Sequence, residues 1–251
     1  MIKTIYLHGF SGDGAGLMPL MDQVGYEQSQ CIDLPAFGRN SRVYDLNWHS
    51  YVEATMATIR ASGHGPYRLI GHSHGAMVAY GLAAQHPDEI ASVVLICPVA
   101  RGSLLGRVFI NSLRAMRRIL GGDRATRLQR QRFFVDIVTR LSKRPEWTRE
   151  AYGKLRAQRR RESERYTLEM VKLLDIIPRF KEVYQSSQLS CPVGIIAARD
   201  DVLVPPSDIK WYVDHSPENQ LVYCRGGHLA PAVMPHDIAE LVRHIGTALP
   251  R

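Results

Sequence analysis

Short runs of aliphatic and β-branched residues alternate with longer segments of helical spacing through the first hundred positions of this chain. Ile2–Leu7, Gln30–Leu34, Tyr67–Gly71 and Ser92–Cys97 read as strands, while Tyr51–Ala61 and Ala76–His86 have helical composition and spacing. The alternation resumes near the end, with Val193–Ala197 and Gln220–Cys224 as strands and Ser207–Val213 and His236–Leu249 as helices. Strands separated by helices of this length build βαβ units, whose strands pair in parallel. The pattern predicts an α/β protein with a mostly parallel sheet of about six strands, flanked by helices.

Between the two halves the pattern changes. Residues 101–188 hold no convincing strand, but Val108, Ile110, Leu113, Met116, Ile119 and Leu120 recur at helical spacing. Further helical runs cover about 124–142 and 147–176, broken by Gly121-Gly122 and Pro145 and ended by Pro178. The expectation is a core formed by 1–100 and 189–251, with 101–188 inserted before the last two strands as a helical lid. Charge sharpens this division. The chain carries +8 overall, yet residues 101–181 hold 22 Lys+Arg against 8 Asp+Glu, a balance of +14. The remaining 10 basic and 16 acidic residues give −6, so a basic lid interrupts a mildly acidic body.

Composition narrows the classes. At 251 residues and 45% hydrophobic content the chain can bury a core without disulfides or metals. Its first residues lack the apolar run of a secretory signal, and no window approaches a membrane span. Cys31, Cys97, Cys191 and Cys224 lie far apart, without CxxC or zinc spacing, which fits reduced thiols in a cytoplasmic protein. No metal or organic cofactor is expected. The basic segment admits several readings. It can solvate the outside of amphipathic helices, steer an acidic substrate or an acidic acyl carrier protein, or lie on anionic lipid. Nucleic acid is not expected, because the dense run Arg156–Arg161 has no binding motif or aromatic platform beside it.

Residues 71–75 read Gly-His-Ser-His-Gly, with a strand before them and a small-residue helix after. That context is the nucleophile elbow, a sharp strand-to-helix turn that exposes the Ser73 hydroxyl. A hydroxyl is a weak nucleophile until a base takes its proton. His228, in Arg225-Gly226-Gly227-His228 directly after the last strand, has the best position for that base. His72 and His74 sit on the turn and are expected to aim their side chains away from the serine. A carboxylate that orients the imidazole should follow the penultimate strand, where Asp200 and Asp201 compete. Two backbone amides should hold an oxyanion: that of His74, after the nucleophile, and that of Phe10, in the glycine-rich loop after the first strand.

His8-Gly9-Phe10, Asp33-Leu34-Pro35-Ala36-Phe37-Gly38-Arg39, Gly71-His72-Ser73-His74-Gly75, Asp201…Pro205 and Gly227-His228 together resemble the α/β-hydrolase superfamily. The resemblance covers 1–100 and 189–251. It implies a Ser73–His228–Asp201 triad. The spacing usual in that fold, with the acid four residues before Pro205, selects Asp201 and leaves Asp200 as a turn residue. It also implies that a hairpin usual in members before the His-Gly-Phe loop is missing, which removes two edge strands. The implied activity is hydrolysis of a carboxylic ester or thioester, on a small-molecule or carrier-bound acyl substrate. Asp-Leu-Pro-x-Phe-Gly-Arg resembles the pimeloyl-acyl-carrier-protein methyl ester esterases of biotin synthesis. Leu7–Asp13 resembles the menaquinone-pathway synthase, which implies the alternative of a lyase or C–C bond hydrolase with the same triad. A lipase or lysophospholipase at an anionic membrane surface, or a non-catalytic binding protein, are the remaining alternatives.

Overall fold

The structure, a computed structural model, describes residues 2–10, 12–38, 40, 47–101, 107, 111, 115, 173 and 175–248. Six strands form one sheet: β1 (Lys3–Leu7), β2 (Ser29–Ile32), β3 (Tyr67–His72), β4 (Ile90–Ile96), β5 (Val193–Ala198) and β6 (Asn219–Cys224). Their order across the sheet is β2-β1-β3-β4-β5-β6, and every neighbouring pair is parallel. Parallel strands need crossover connections, and these are the helices α1 (Met18–Val24), α2 (Trp48–Ala61) and α3 (His74–Gln85) in the first half. The second half adds α4 (Phe180–Tyr184), α5 (Pro206–Asp214), α6 (Ala230–Val233) and α7 (Pro235–Ala248). Each strand and helix predicted within 1–100 and 189–251 has its counterpart, with ends shifted by a few residues, while the helical runs predicted over 108–176 lie almost wholly outside the described residues. The short helices α1, α4 and α6 have no counterpart among the predicted ones.

The strand order places the site. The chain steps one way from β1 to β2 and then back across β1 to β3. Right-handed crossovers therefore put α1 on one face of the sheet and α2 and α3 on the other. The contacts agree, with α1 packed on α7 and α2 packed on α3. The loops leaving β1 and β3 lead to helices on opposite faces, which makes the carboxyl ends of these strands the topological switch point, where open α/β sheets bind ligands. The central strands are buried on both faces. Leu69, Ile70, Val93, Val94, Leu95, Ile195 and Ile196 have no exposed surface.

The expected lid, 101–188, lies mostly outside the described residues. Its two attachments to the sheet are described. Where the chain leaves β4, the buried Asp208 carboxylate of α5 accepts from the amides of Ala100 and Arg101, both at 2.9 Å. The Tyr212 hydroxyl donates to the Val99 carbonyl at 2.7 Å. Where it returns, the Trp48 indole Nε1–H donates to the Ile176 carbonyl at 2.7 Å. Pro178 lies in a 3-10 turn, Ile177–Arg179, that leads into α4. Phe180 and Tyr184 of α4 pack edge-on against Trp48 and Tyr80 and join the same hydrophobic cluster as the sheet. No described helix is long and apolar enough to cross a membrane, and all four cysteines are free thiols.

Trp48 therefore supplies both buried apolar area and the polar tether for the returning segment. Trp48→Ala is expected to lower the unfolding free energy in urea titrations by about 3–5 kcal/mol, the usual cost of emptying a large aromatic site. A change below about 1 kcal/mol would contradict this anchoring role.

Candidate active site

The elbow at the end of β3 is forced by backbone approach. A side chain at Gly71 would collide with the Gly75 carbonyl, and one at Gly75 would collide with the Leu7 carbonyl at the end of β1. Just past the end of β3 the turn is so tight that Ser73 adopts φ 55° and ψ −114°, a positive-φ conformation that L-residues rarely hold. Its amide is fixed by a 2.9 Å bond to the Ile96 carbonyl on β4, so the strain is held by the sheet itself. Helix α3 begins at the next residue, which directs its N-terminal dipole toward the serine.

The loop after β6 turns back through Gly226 (φ 104°) and Gly227 (φ 61°), a pair of left-handed residues suited to glycine. It delivers His228 Nε2 to 2.7 Å from Ser73 Oγ. The other ring nitrogen, Nδ1, lies 2.8 Å from Asp201 Oδ2. An ionised carboxylate can only accept, so Nδ1 carries the proton and Nε2 is left to accept from the hydroxyl. The second Asp201 oxygen accepts from the amides of Leu203 and Val204 at 2.8 and 3.1 Å. Burial pushes the Asp201 carboxyl up. The facing His228, its ring hydrogen bond and the two amides outweigh this, and the group stays below its ordinary range. Asp200 is not confined to a local turn: it accepts from the amides of Gly226 and Gly227 at 3.4 and 3.0 Å and so braces the loop that carries His228. The structure thus brings Ser73, His228 and Asp201 into one hydrogen-bonded line and sets Asp200 beside it.

The His-Gly-Phe loop after β1 passes against the elbow. A Cβ placed on Gly9 would sit 3.4 Å from Ser73 Cβ, and the Phe10 ring lies edge-on to His74 with centroids 6.1 Å apart. The orientation of the Gly9–Phe10 peptide is set by its carbonyl, which receives His8 Nδ1–H at 2.8 Å and the Gly12 amide at 3.0 Å. In a trans peptide the N–H points opposite to the C=O, so these two bonds turn the Phe10 amide the other way. His8 in turn accepts from the Leu34 amide through Nε2 at 3.1 Å, which fixes it as the neutral Nδ1–H tautomer. The Asp33–Gly38 stretch is the buttress of this loop. Asp33 accepts from the Gly14 amide at 2.8 Å, and Tyr51 of α2 donates to the Pro35 carbonyl at 3.0 Å.

The two histidines that flank the serine do not point away from the site. His72 Nε2 lies 2.7 Å from the His228 carbonyl, with the two rings 5.3 Å apart. His74 is packed among Phe10, Phe37, Trp48 and Tyr51, with Nε2 3.2 Å from the Tyr51 hydroxyl. The expectation that both side chains aim away from the serine misses these contacts, because a turn residue's side chain follows backbone angles that no pattern displays. Among the described residues no group of three or more His, Cys, Asp or Glu side chains could hold a metal ion.

Known proteins share this arrangement of elements. A model described as the alpha/beta hydrolase family matches residues 5–241. The chain is 25% identical over 255 residues to a pimeloyl-[acyl-carrier protein] methyl ester esterase of Aeromonas hydrophila, covering 96% of this chain and 93% of that one. It is 38% identical over 96 residues to lipase LipV of Mycobacterium tuberculosis, spanning 38% of this chain and 37% of that protein. Among solved structures, a thermophilic esterase from Thermogutta terrifontis superposes with a TM-score of 0.70 at 18% identity, over 99% of this chain and 90% of that one.

Burial also sets an acid limit on stability. Desolvation lowers the pKa of His8, and lowers those of His72 and His74 to about 3. An unfolded histidine titrates near 6.5, so above about pH 6.5 folding costs no deprotonation. Below it the unfolded chain binds more protons, and stability falls progressively as pH drops toward the folded values. Asp201, held low in the fold, adds its own loss only as pH falls below about 3.9. Urea midpoints should therefore decline between pH 7 and pH 5, and His74→Gln should flatten that slope. Equal slopes in the two proteins would contradict the buried neutral state of His74.

Proposed function

The chain belongs to the α/β-hydrolase family, and from that premise we propose that it hydrolyses a carboxylic ester or thioester through an acyl intermediate on Ser73. The observation that carries this reading is the unbroken line from Asp201 through His228 to Ser73 Oγ, at 2.8 and 2.7 Å. In the first half-reaction Ser73 Oγ attacks the carbonyl carbon while its proton passes to His228 Nε2. The imidazolium that results is held by the Asp201 carboxylate. The negative oxygen of the tetrahedral intermediate accepts from the amides of Phe10 and His74, at the positive end of α3. Collapse breaks the bond to the alcohol or thiol, which leaves with the proton from His228. Water then repeats the sequence on the acyl-serine: His228 takes its proton, the acid is released and Ser73 Oγ recovers the proton.

Two features support the amide assignment. Gly9 brings the loop backbone against Ser73, and the bonds from His8 and Gly12 to the Gly9 carbonyl aim the neighbouring amide without cost at the moment of reaction. A narrower reading of the substrate, an acyl ester on an acidic carrier, draws on the charge division between residues 101–181 at +14 and the remainder at −6. The likeness to a pimeloyl-[acyl-carrier protein] methyl ester esterase lends it further support. Steering of that kind weakens as salt screens it, so turnover of a carrier-bound ester should fall with ionic strength while that of a free short-chain ester should not.

A fluorophosphonate probe tests the hydrolase reading directly. It should label the folded protein at Ser73, and Ser73→Ala should abolish labelling. Turnover of a p-nitrophenyl ester should drop by about 10⁴–10⁶ in Ser73→Ala and about 10⁴ in Asp201→Asn. A folded protein that stays unlabelled would overturn the assignment.

A further inference from the structure

The chemistry proposed above needs groups from four loops, those after β1, β3, β5 and β6, to meet. The nucleophile stands after β3 and the base after β6, with β4 and β5 between them. At roughly 4.8 Å per strand, the ends of β3 and β6 are about 14 Å apart, so the base loop must fold back across two strands and be held there. Asp200 fixes the amides of Gly226 and Gly227, on the near side of the base. The far side is fixed by another residue. The His228 carbonyl, which can only accept, lies 2.7 Å from His72 Nε2, so that nitrogen carries a proton. This contact joins residues 156 positions apart in sequence.

We propose that His72 is the positioning residue that locks both the base loop and the oxyanion loop onto the nucleophile elbow. One ring does both. Its Nε2–H holds the His228 carbonyl, and its Nδ1 lies where a Cβ on Gly9 would come within 3.1 Å. The Gly9 backbone is thus packed against the imidazole on one side while the base loop hangs from the other. The ring stands next to Ser73 in sequence, on the same rigid strand end, so the three loops share one reference point. Neutrality is part of the role. His228 becomes positively charged in each half-reaction, and its ring centroid is 5.3 Å from that of His72. A second cation at that distance would oppose proton transfer. Burial, reinforced by the facing His228, holds His72 at about 3, so the ring stays an uncharged donor throughout.

This inference rests on the triad reading, and its test separates the two. His72→Phe keeps the ring volume and removes the donor; His72→Gln restores an N–H at similar reach. With p-nitrophenyl butyrate, His72→Phe should lower kcat about 10- to 100-fold, the penalty of a base displaced by about 1 Å. KM should stay within about threefold and the thermal midpoint within a few degrees, while His72→Gln recovers most of the rate. In ¹⁵N-labelled protein the His228 Nδ1–H resonance should be sharp in the wild type and broadened in His72→Phe, a readout that needs no turnover. An unchanged kcat in His72→Phe, or an unchanged resonance, would overturn the role. Equal losses in both variants with a matching fall in thermal midpoint would reduce His72 to packing. Failure of wild-type turnover would instead count against the hydrolase reading, and the resonance would still decide on His72.

Discussion

The structure depends on how closely the turn after β3 approaches the end of β1. Glycine at 71 and 75 lets the elbow backbone lie against the Leu7 and Gly75 carbonyls, and no other residue fits there. That approach makes Ser73 take its positive-φ conformation and starts α3 immediately behind it. It also puts the loop after β1 within contact of the serine, because the two strands are hydrogen-bonded neighbours at the topological switch of the sheet. The strain is small beside the packing that enforces it. It lies beside strands whose central side chains, Leu69, Ile70, Val94 and Leu95 among them, are buried, and the Ile96 carbonyl holds the serine amide in place.

Around that point the protein uses histidine in two different ways. His228 keeps a free lone pair toward Ser73 and is backed by a carboxylate, which suits it to accept a proton. His8 and His72 are kept neutral by burial and act as fixed N–H donors on backbone carbonyls, those of Gly9 and of His228. An arginine or lysine could supply the same donors only by bringing a buried charge beside the base. The aromatic shell from Phe10 to Trp48 and Phe180 encloses His74 and ties the segment returning to β5 onto α2.

Much of this was legible in the sequence, for identifiable reasons. Alternating strand and helix periods report a parallel sheet because both faces of its strands must be covered, and the six strands appear where the apolar runs lie. Gly71-His72-Ser73-His74-Gly75 and Gly226-Gly227-His228 are legible because tight turns restrict which residues can occupy them. The neighbours of those turns were not legible. The direction of His72, the span of Asp200 across to Gly226 and Gly227, and the buttress from Asp33 and Leu34 to the His8 loop are all contacts between distant segments. Residue type and spacing do not encode such contacts. Asp208 illustrates the same limit: an aspartate in the first turn of a helix reads as a solvated dipole partner, yet here it is buried and grips the chain leaving β4.

The account stands on Ser73 becoming acylated. Rapid mixing with a p-nitrophenyl ester, quenching in acid within the first turnover and mapping the protein by mass spectrometry tests this most directly. The prediction is one added acyl group, located on the peptide that carries Ser73, formed in a burst with the release of p-nitrophenol. Steady hydrolysis with no acyl group on the chain, or with the group on another residue, would contradict it.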